Sequence, residues 1–286
     1  MKTVRIITDS AAELDPELAA SLDIDVLPLR YSIGGTIYRQ DVDLPSDRLL
    51  DLISQGSARV AALPPASEDV ERIFESVAKS GQVAVYIHVA NGMIPVLDSI
   101  LRVTQGLFGP ARIEIIDSLA VSYGLQRIVR AAADAAVRGA ELADVAQLVR
   151  AMVSRIYTLF YAEDFEHLES TVDIQPAQAI LASILGVKPL LMLEEGRLIP
   201  LEKITPRSTP VDKLADFVFE FSTVSEVAVL LGHRPSDIDV EDLRQRVLQQ
   251  YPSLHIPVYH YGPAVAATVG PAAAGLYVYE GLQSGW

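Results

Sequence analysis

The sequence predicts an α/β fold in two domains, the first with a mostly parallel sheet, the second with a mainly antiparallel or mixed sheet, and a ligand cleft between them. Three observations lead there. Short β-rich runs that end in polar turns and pass into helical periodicity recur at residues 4–10, 83–92 and 113–118. The order changes near residue 155, after which a hairpin pattern appears. Half of the 286 residues are hydrophobic, enough for one large core or two ordinary ones. The expected division is residues 1–155 and 156–286.

Val4-Arg5-Ile6-Ile7 reads as a buried strand, and Ser10 with Glu13 three residues on has the form of a capping box opening a helix. Thr8, Asp9 and Ser10 then stand at the carboxyl edge of a sheet, where open α/β folds keep ligands, although capping alone would select the same residues. A helix over residues 16–22, a strand over 24–29 and a Gly34-Gly35 hairpin over 31–38 follow. Residues 46–55 and 67–79 are helical by spacing, with Ala61-Ala62-Leu63-Pro64-Pro65 a rigid loop between them. A strand over 83–89 ends at Asn91-Gly92 before a helix over 95–106. Ile113-Glu114-Ile115-Ile116-Asp117-Ser118 repeats the opening pattern and leads into helices over 121–138 and 142–154.

The second half begins with an aromatic strand over 156–161, then helical stretches over 162–168 and 177–185. Strands over 187–193 and 198–204, joined through Glu194-Glu195-Gly196-Arg197, form an antiparallel hairpin. Helices over 211–221 and 240–250, strands over 226–232, 256–259 and 276–280, and a Gly/Ala-rich carboxyl end complete a mixed α/β half.

Composition removes several function classes. With no cysteine there is no thiol catalysis, cysteine-ligated zinc or iron–sulfur cluster, and a reducing cytoplasm fits. His88, His167, His233, His255 and His260 show no metal-binding spacing, so neither metal nor cofactor is expected. A net charge of −14 argues against nucleic acid and anionic membrane surfaces. The longest apolar region, residues 179–193, contains Lys188 and Pro189 and is too short to span a bilayer, and Met1-Lys2-Thr3 lacks the features of a signal peptide. A positive mean hydropathy of +0.27 without a span points to apolar surface turned inward, around a core or a ligand.

Several short motifs, taken in order, resemble the DegV family of bacterial lipid-binding proteins, which includes the fatty-acid-binding partners of fatty acid kinase. They are Thr8-Asp9-Ser10-Ala11-Ala12-Glu13-Leu14, Val26-Leu27-Pro28-Leu29, Tyr38 with Asp41, Ile116-Asp117-Ser118 with Ser122 and Gly124, and Val187-Lys188-Pro189-Leu190-Leu191 with Gly196 and Lys203. The resemblance implies one fatty-acid chain held in a tunnel between two α/β domains, no catalysis by the binding protein itself, and a separate kinase as partner.

The departures fall on the residues that the resemblance assigns to the head group. A Thr-Ser pair is replaced by Ala62 and Leu63, a Ser-Gly-Thr turn by Asn91-Gly92-Met93, a Gly-Gly-Arg segment by Thr171-Val172-Asp173, and a His by Thr268 ahead of Gly270-Pro271-Ala272. Each lost hydrogen bond to a charged group removes roughly 1.5 to 3 kcal/mol. Ser10, Asn91, the amides around Gly92, Thr268, Gly270 and Arg207 remain as polar candidates, while Met93, Ile94, Leu97, Phe160 and Phe165 are the expected tunnel wall. His260 and Tyr261 read as packed aromatic residues. Two alternatives stand beside lipid binding: a degenerate member with altered head-group specificity or an interaction role, and a phosphotransfer or hydrolytic enzyme using Asp9 or Asp117. Against the enzyme stand the missing Walker loop, dinucleotide fingerprint and G-x-S-x-G elbow.

Overall fold

The computed structural model describes residues 4–56, 59–106, 112–163, 167–168, 188–204 and 209–282. In chain order the elements are β1 (Val4–Asp9), α1 (Pro16–Ser21), β2 (Ile24–Leu27), β3 (Arg30–Ile33), β4 (Thr36–Arg39), α2 (Ser46–Gln55), β5 (Val60–Leu63), α3 (Ser67–Ser80), β6 (Val83–His88), α4 (Leu97–Gly106), β7 (Arg112–Asp117), α5 (Ser122–Val137) and α6 (Leu142–Val153). They continue with β8 (Ile156–Tyr161), β9 (Lys188–Glu194), β10 (Arg197–Ile204), α7 (Pro210–Phe219), β11 (Glu226–Leu231), α8 (Val240–Gln250), β12 (Val258–His260), α9 (Pro263–Val269) and β13 (Ala274–Tyr279).

The first half is built on a four-stranded parallel sheet in the order β2-β1-β6-β7. Its central strands are buried along nearly their whole length, as the continuous apolar runs of β1 and β6 require. Helices α5 and α6 pack together on this sheet, and α3 and α4 form a separate pair. A small antiparallel sheet, β4-β3-β5, stands beside it, with the expected hairpin at Gly34 and Gly35 in positive-φ backbone.

The second half carries a six-stranded sheet in the order β10-β9-β8-β13-β11-β12, antiparallel except for the parallel β11–β12 edge. Its strands alternate with period two. Leu159, Tyr161, Leu190, Val227, Val229 and Leu276 face a core shared with Leu214 and Val218 of α7 and Leu243 and Val247 of α8. The intervening Phe160, Leu191, Leu193, Ala228, Leu230 and Tyr277 belong to the core of the first half. The two halves therefore meet along the inner face of this sheet.

Four expectations change. No capping box forms at Ser10: residues 10–12 make a single 3-10 turn capped by Asp9, and the helix proper starts at Pro16 under Asp15, whose carboxylate takes the amides of Glu17 and Leu18. Ala61, Ala62 and Leu63 are not a loop but most of β5, because pairing with Tyr31 and Arg30 satisfies their backbone. The strand expected over 256–259 is Val258–His260. In the carboxyl end, Thr268 lies inside helix α9, opened by Pro263 in its first turn. The helical stretches expected over 162–168 and 177–185 lie largely or wholly outside the described residues, Ala162 and Glu163 being non-helical.

Candidate functional site

The carboxyl ends of β1, β6 and β7 form the polar edge that the sequence placed there, and its carboxylates are occupied by backbone. Asp9 is fully buried; Oδ2 accepts the Val89 amide at 2.8 Å and Oδ1 the Ala11 amide at 3.1 Å. Burial raises its pKa to about 7 against the pull of those amides, with Asp117 adding to the rise. Asp117 accepts the Leu119 amide at 3.0 Å and the Asn91 amide at 3.3 Å. Both carboxylates tie strand ends to the turns that follow. His88, the last residue of β6, is buried with Nδ1 2.7 Å from the Val89 carbonyl, and burial lowers its pKa.

Glu13, rather than reaching back to Ser10, points across to the other half. Its Oε2 accepts the Ser122 hydroxyl and its Oε1 the Gly262 amide, each at 2.6 Å. Its carbonyl accepts Gln126 Nε2 at 2.9 Å and the Tyr259 hydroxyl at 3.1 Å. Burial lifts this carboxyl also to about 7, against the lowering effect of Ser122, Gly262 and Tyr259. Nearby, Ser10 Oγ accepts the Leu29 amide and donates to Gln40 Oε1. Ser10, Glu13 and Gln40 border a cleft of about 1090 Å³ between the halves, walled on one side by Leu14, Ile24 and Val26 and on the other by Tyr259, Tyr261 and Pro263.

The remaining candidates are distributed over the seam. Ala62 and Leu63 lie on β5, which packs against α9. Asn91 Oδ1 accepts the Leu97 amide at 2.8 Å, so its carbonyl caps the start of α4. Gly92 presses on the β9–β10 turn: a Cβ there would come 2.4 Å from Arg197 Cγ and 2.5 Å from the Gly196 carbonyl oxygen. Ile94 is buried, while Met93 and Leu97 are half-buried. Phe160 lies on the inner sheet face, edge-on to Tyr261 at 6.2 Å. The Thr268 hydroxyl bonds the Ala264 carbonyl one turn back at 2.9 Å. Gly270, at φ 97°, accepts the Tyr261 hydroxyl at 2.7 Å. Phe165 and Arg207 lie outside the described residues. Ser10 thus borders the cleft, Asn91 and Gly92 meet the hairpin turn, and Phe160 and Gly270 meet at Tyr261.

Glu13 and Ser122 both fall in motifs quoted above, but no local pattern links them to each other or to Gln126, Tyr259 and Gly262, which join the halves here. Gly262-Pro263 before an Ala-rich run is a helix start in form, which is the one signal that could have located the Gly262 amide.

Residues 3–281 match a family model described as "Uncharacterised protein, DegV family". The chain belongs to the DegV family. A DegV domain-containing protein of Halalkalibacterium halodurans is 27% identical over 283 residues, covering 98% of this chain and 99% of the relative. Among solved structures, a fatty acid binding DegV family protein from Streptococcus agalactiae superposes with a TM-score of 0.84 at 18% identity, covering 99% of this chain and 100% of the other. A stearic acid-binding protein from Eubacterium ventriosum gives 0.79 at 18% identity, with 98% of each chain covered. These likenesses establish the DegV fold for both halves.

Proposed function

We propose that this DegV protein binds a long-chain fatty acid or related lipid along the seam between residues 1–155 and 156–286, without catalysing a reaction on it, and presents it to a partner kinase in the cytoplasm. The observation that carries the reading is the inner face of the six-stranded sheet, where Phe160, Leu191, Leu193, Ala228 and Leu230 turn apolar side chains toward the first half. The stearic acid-binding likeness supports the same ligand class. Burying about fifteen methylenes at roughly 0.8 kcal/mol each yields about 12 kcal/mol, against an association cost of about 4 to 15. The tail therefore sets most of the affinity. The non-catalytic part is supported by Asp9 and Asp117, whose oxygens already accept the amides of Val89, Ala11 and Leu119.

One observation favours a relaxed head-group preference: the Thr268 hydroxyl already donates to the Ala264 carbonyl one turn back in α9. A carboxylate needs several donors when it leaves water, whereas an alcohol or ester does not. Titrating delipidated protein with the matched acid, alcohol and methyl ester of one chain length at neutral pH tests both parts. Affinities within about tenfold of one another (1.4 kcal/mol) support the reading. A hundredfold preference for the acid contradicts the relaxed preference, and no binding of any of the three contradicts the lipid reading itself. Leu97→Trp, beside the Asn91 cap, should block uptake while unfolding remains cooperative.

A further inference from the structure

The cleft beside Ser10 does not stop at the seam. It runs along β2, from Ala19 and Ala20 of α1, past Ile24, Val26 and Pro28, to Asp69 and Arg72 of α3. Among the described residues its wall holds none of the inner-face side chains assigned above to the acyl chain. It does collect Ser10, Glu13 and Leu14, Val26 and Pro28, and Asp41, drawn from three of the motifs that carry the family resemblance.

The strand at the floor of this groove has an open edge. β2 pairs with β1 alone, and the backbone of Ile24–Leu27 makes no other hydrogen bond among the described residues. Such an edge is a template for a further strand, and proteins blunt it with proline, lysine or a bulge. β10, at one edge of the six-stranded sheet, has all three in Pro200, Lys203 and the register shift after Pro200. β2 has none of them, and its one charge, Asp25, is paired with Arg5 of β1 at 2.6 Å. Apolar side chains are exposed beside the edge, Val26 by 37% and Val42 by 58%, and both line the groove. The arginines of the wall are already held, Arg39 by Asp43 and Arg72 by Asp69. Asp41, which accepts from Ser46, and Asp47, in the first turn of α2, are exposed and have no cation among the described residues.

We propose that this groove takes an extended segment of a partner protein, basic with apolar residues between, added beside β2 as a fifth strand of the parallel sheet. Main-chain hydrogen bonds to Ile24–Leu27 hold the segment, its apolar side chains cover Val26 and Val42, and its basic ones reach Asp41 and Asp47. Charge disfavours a second copy as the occupant, because at −14 it brings carboxylates to carboxylates.

Selection of short random peptides on the immobilised full chain tests this. The enriched peptides should alternate basic and apolar residues, and a labelled one, titrated by fluorescence anisotropy, should bind more weakly as salt rises. Asp47→Lys and Val26→Lys, both at exposed positions of the groove, should each weaken it by about tenfold, whereas Asp144→Lys, exposed on α6 and outside the groove, should change it by less than about twofold. Methylating alternate backbone amides of the peptide removes strand donors, leaves every side chain in place, and should cost about tenfold with the parent protein, so the test stands even if a variant does not fold. No enrichment, enriched peptides without basic residues, an equal loss from Asp144→Lys, or undiminished binding of the methylated peptide would overturn the proposal. None of these readouts needs lipid, so this inference and the lipid reading fail separately.

Discussion

Asp9 ends β1 with its carboxyl out of water, one oxygen on the Val89 amide and the other on Ala11. Its pKa is raised from 3.8 to about 7, and burial is the largest cause. The raised value fixes a sign. The stabilisation is complete below pH about 4, where the carboxyl is protonated in the folded and unfolded chain alike, and is lost as pH climbs to about 7. Glu13, raised from 4.5 to about 7, acts in the same direction. Urea unfolding between pH 4 and pH 8 should therefore show stability falling by on the order of a few kcal/mol. Asp9→Asn should flatten that slope, whatever its own cost, and an unchanged slope in the variant would assign the pH dependence elsewhere. Single residues were the least legible level of the sequence. Ser10 and Glu13 at i, i+3 have the spacing of a capping box, but Asp9 takes the cap and Asp15 opens the real helix, leaving both side chains for long-range partners 19 to 249 residues away. No local pattern encodes such a partner.

Elements were legible wherever local periodicity decided them. The parallel strands β1, β6 and β7 and the helices α5 and α6 follow from apolar runs and 3.6-residue spacing, and the β9–β10 hairpin from its Gly turn. β5 and α9 were missed for the same physical reason. Val60–Leu63 is a strand because Arg30–Ile33 lies beside it, and Pro263–Val269 is a short helix set by its docking on α2 and β5. The hairpin makes its own test at this scale, because its turn is seated on Gly92 with no room for a side chain. Gly92→Ala sets a methyl against backbone at the Gly196 carbonyl and should destabilise by about 1 to 3 kcal/mol. The check is a lower urea midpoint with an unchanged slope. A variant as stable as the parent would show that the turn is not held at this point.

Across the whole molecule, the parallel first sheet and the mainly antiparallel later one were readable because the strand–turn–helix repeat gives way to a hairpin order, and β8 is the first strand of the six-stranded sheet. The seam was not readable, since it joins Glu13 to Gly262, Arg127 to Glu226, and Tyr123 to Tyr259 and Tyr277, pairs set by docking alone. It puts the inner face of one sheet against the core of the other half, and the proposal above sets an acyl chain along that seam. Native mass spectrometry of protein purified without detergent or added lipid tests that most directly. A mass excess matching one long-chain acyl lipid per chain, displaced by an added chain of different length, is the predicted result; bare protein that takes up none of the added acid, alcohol or ester would contradict it.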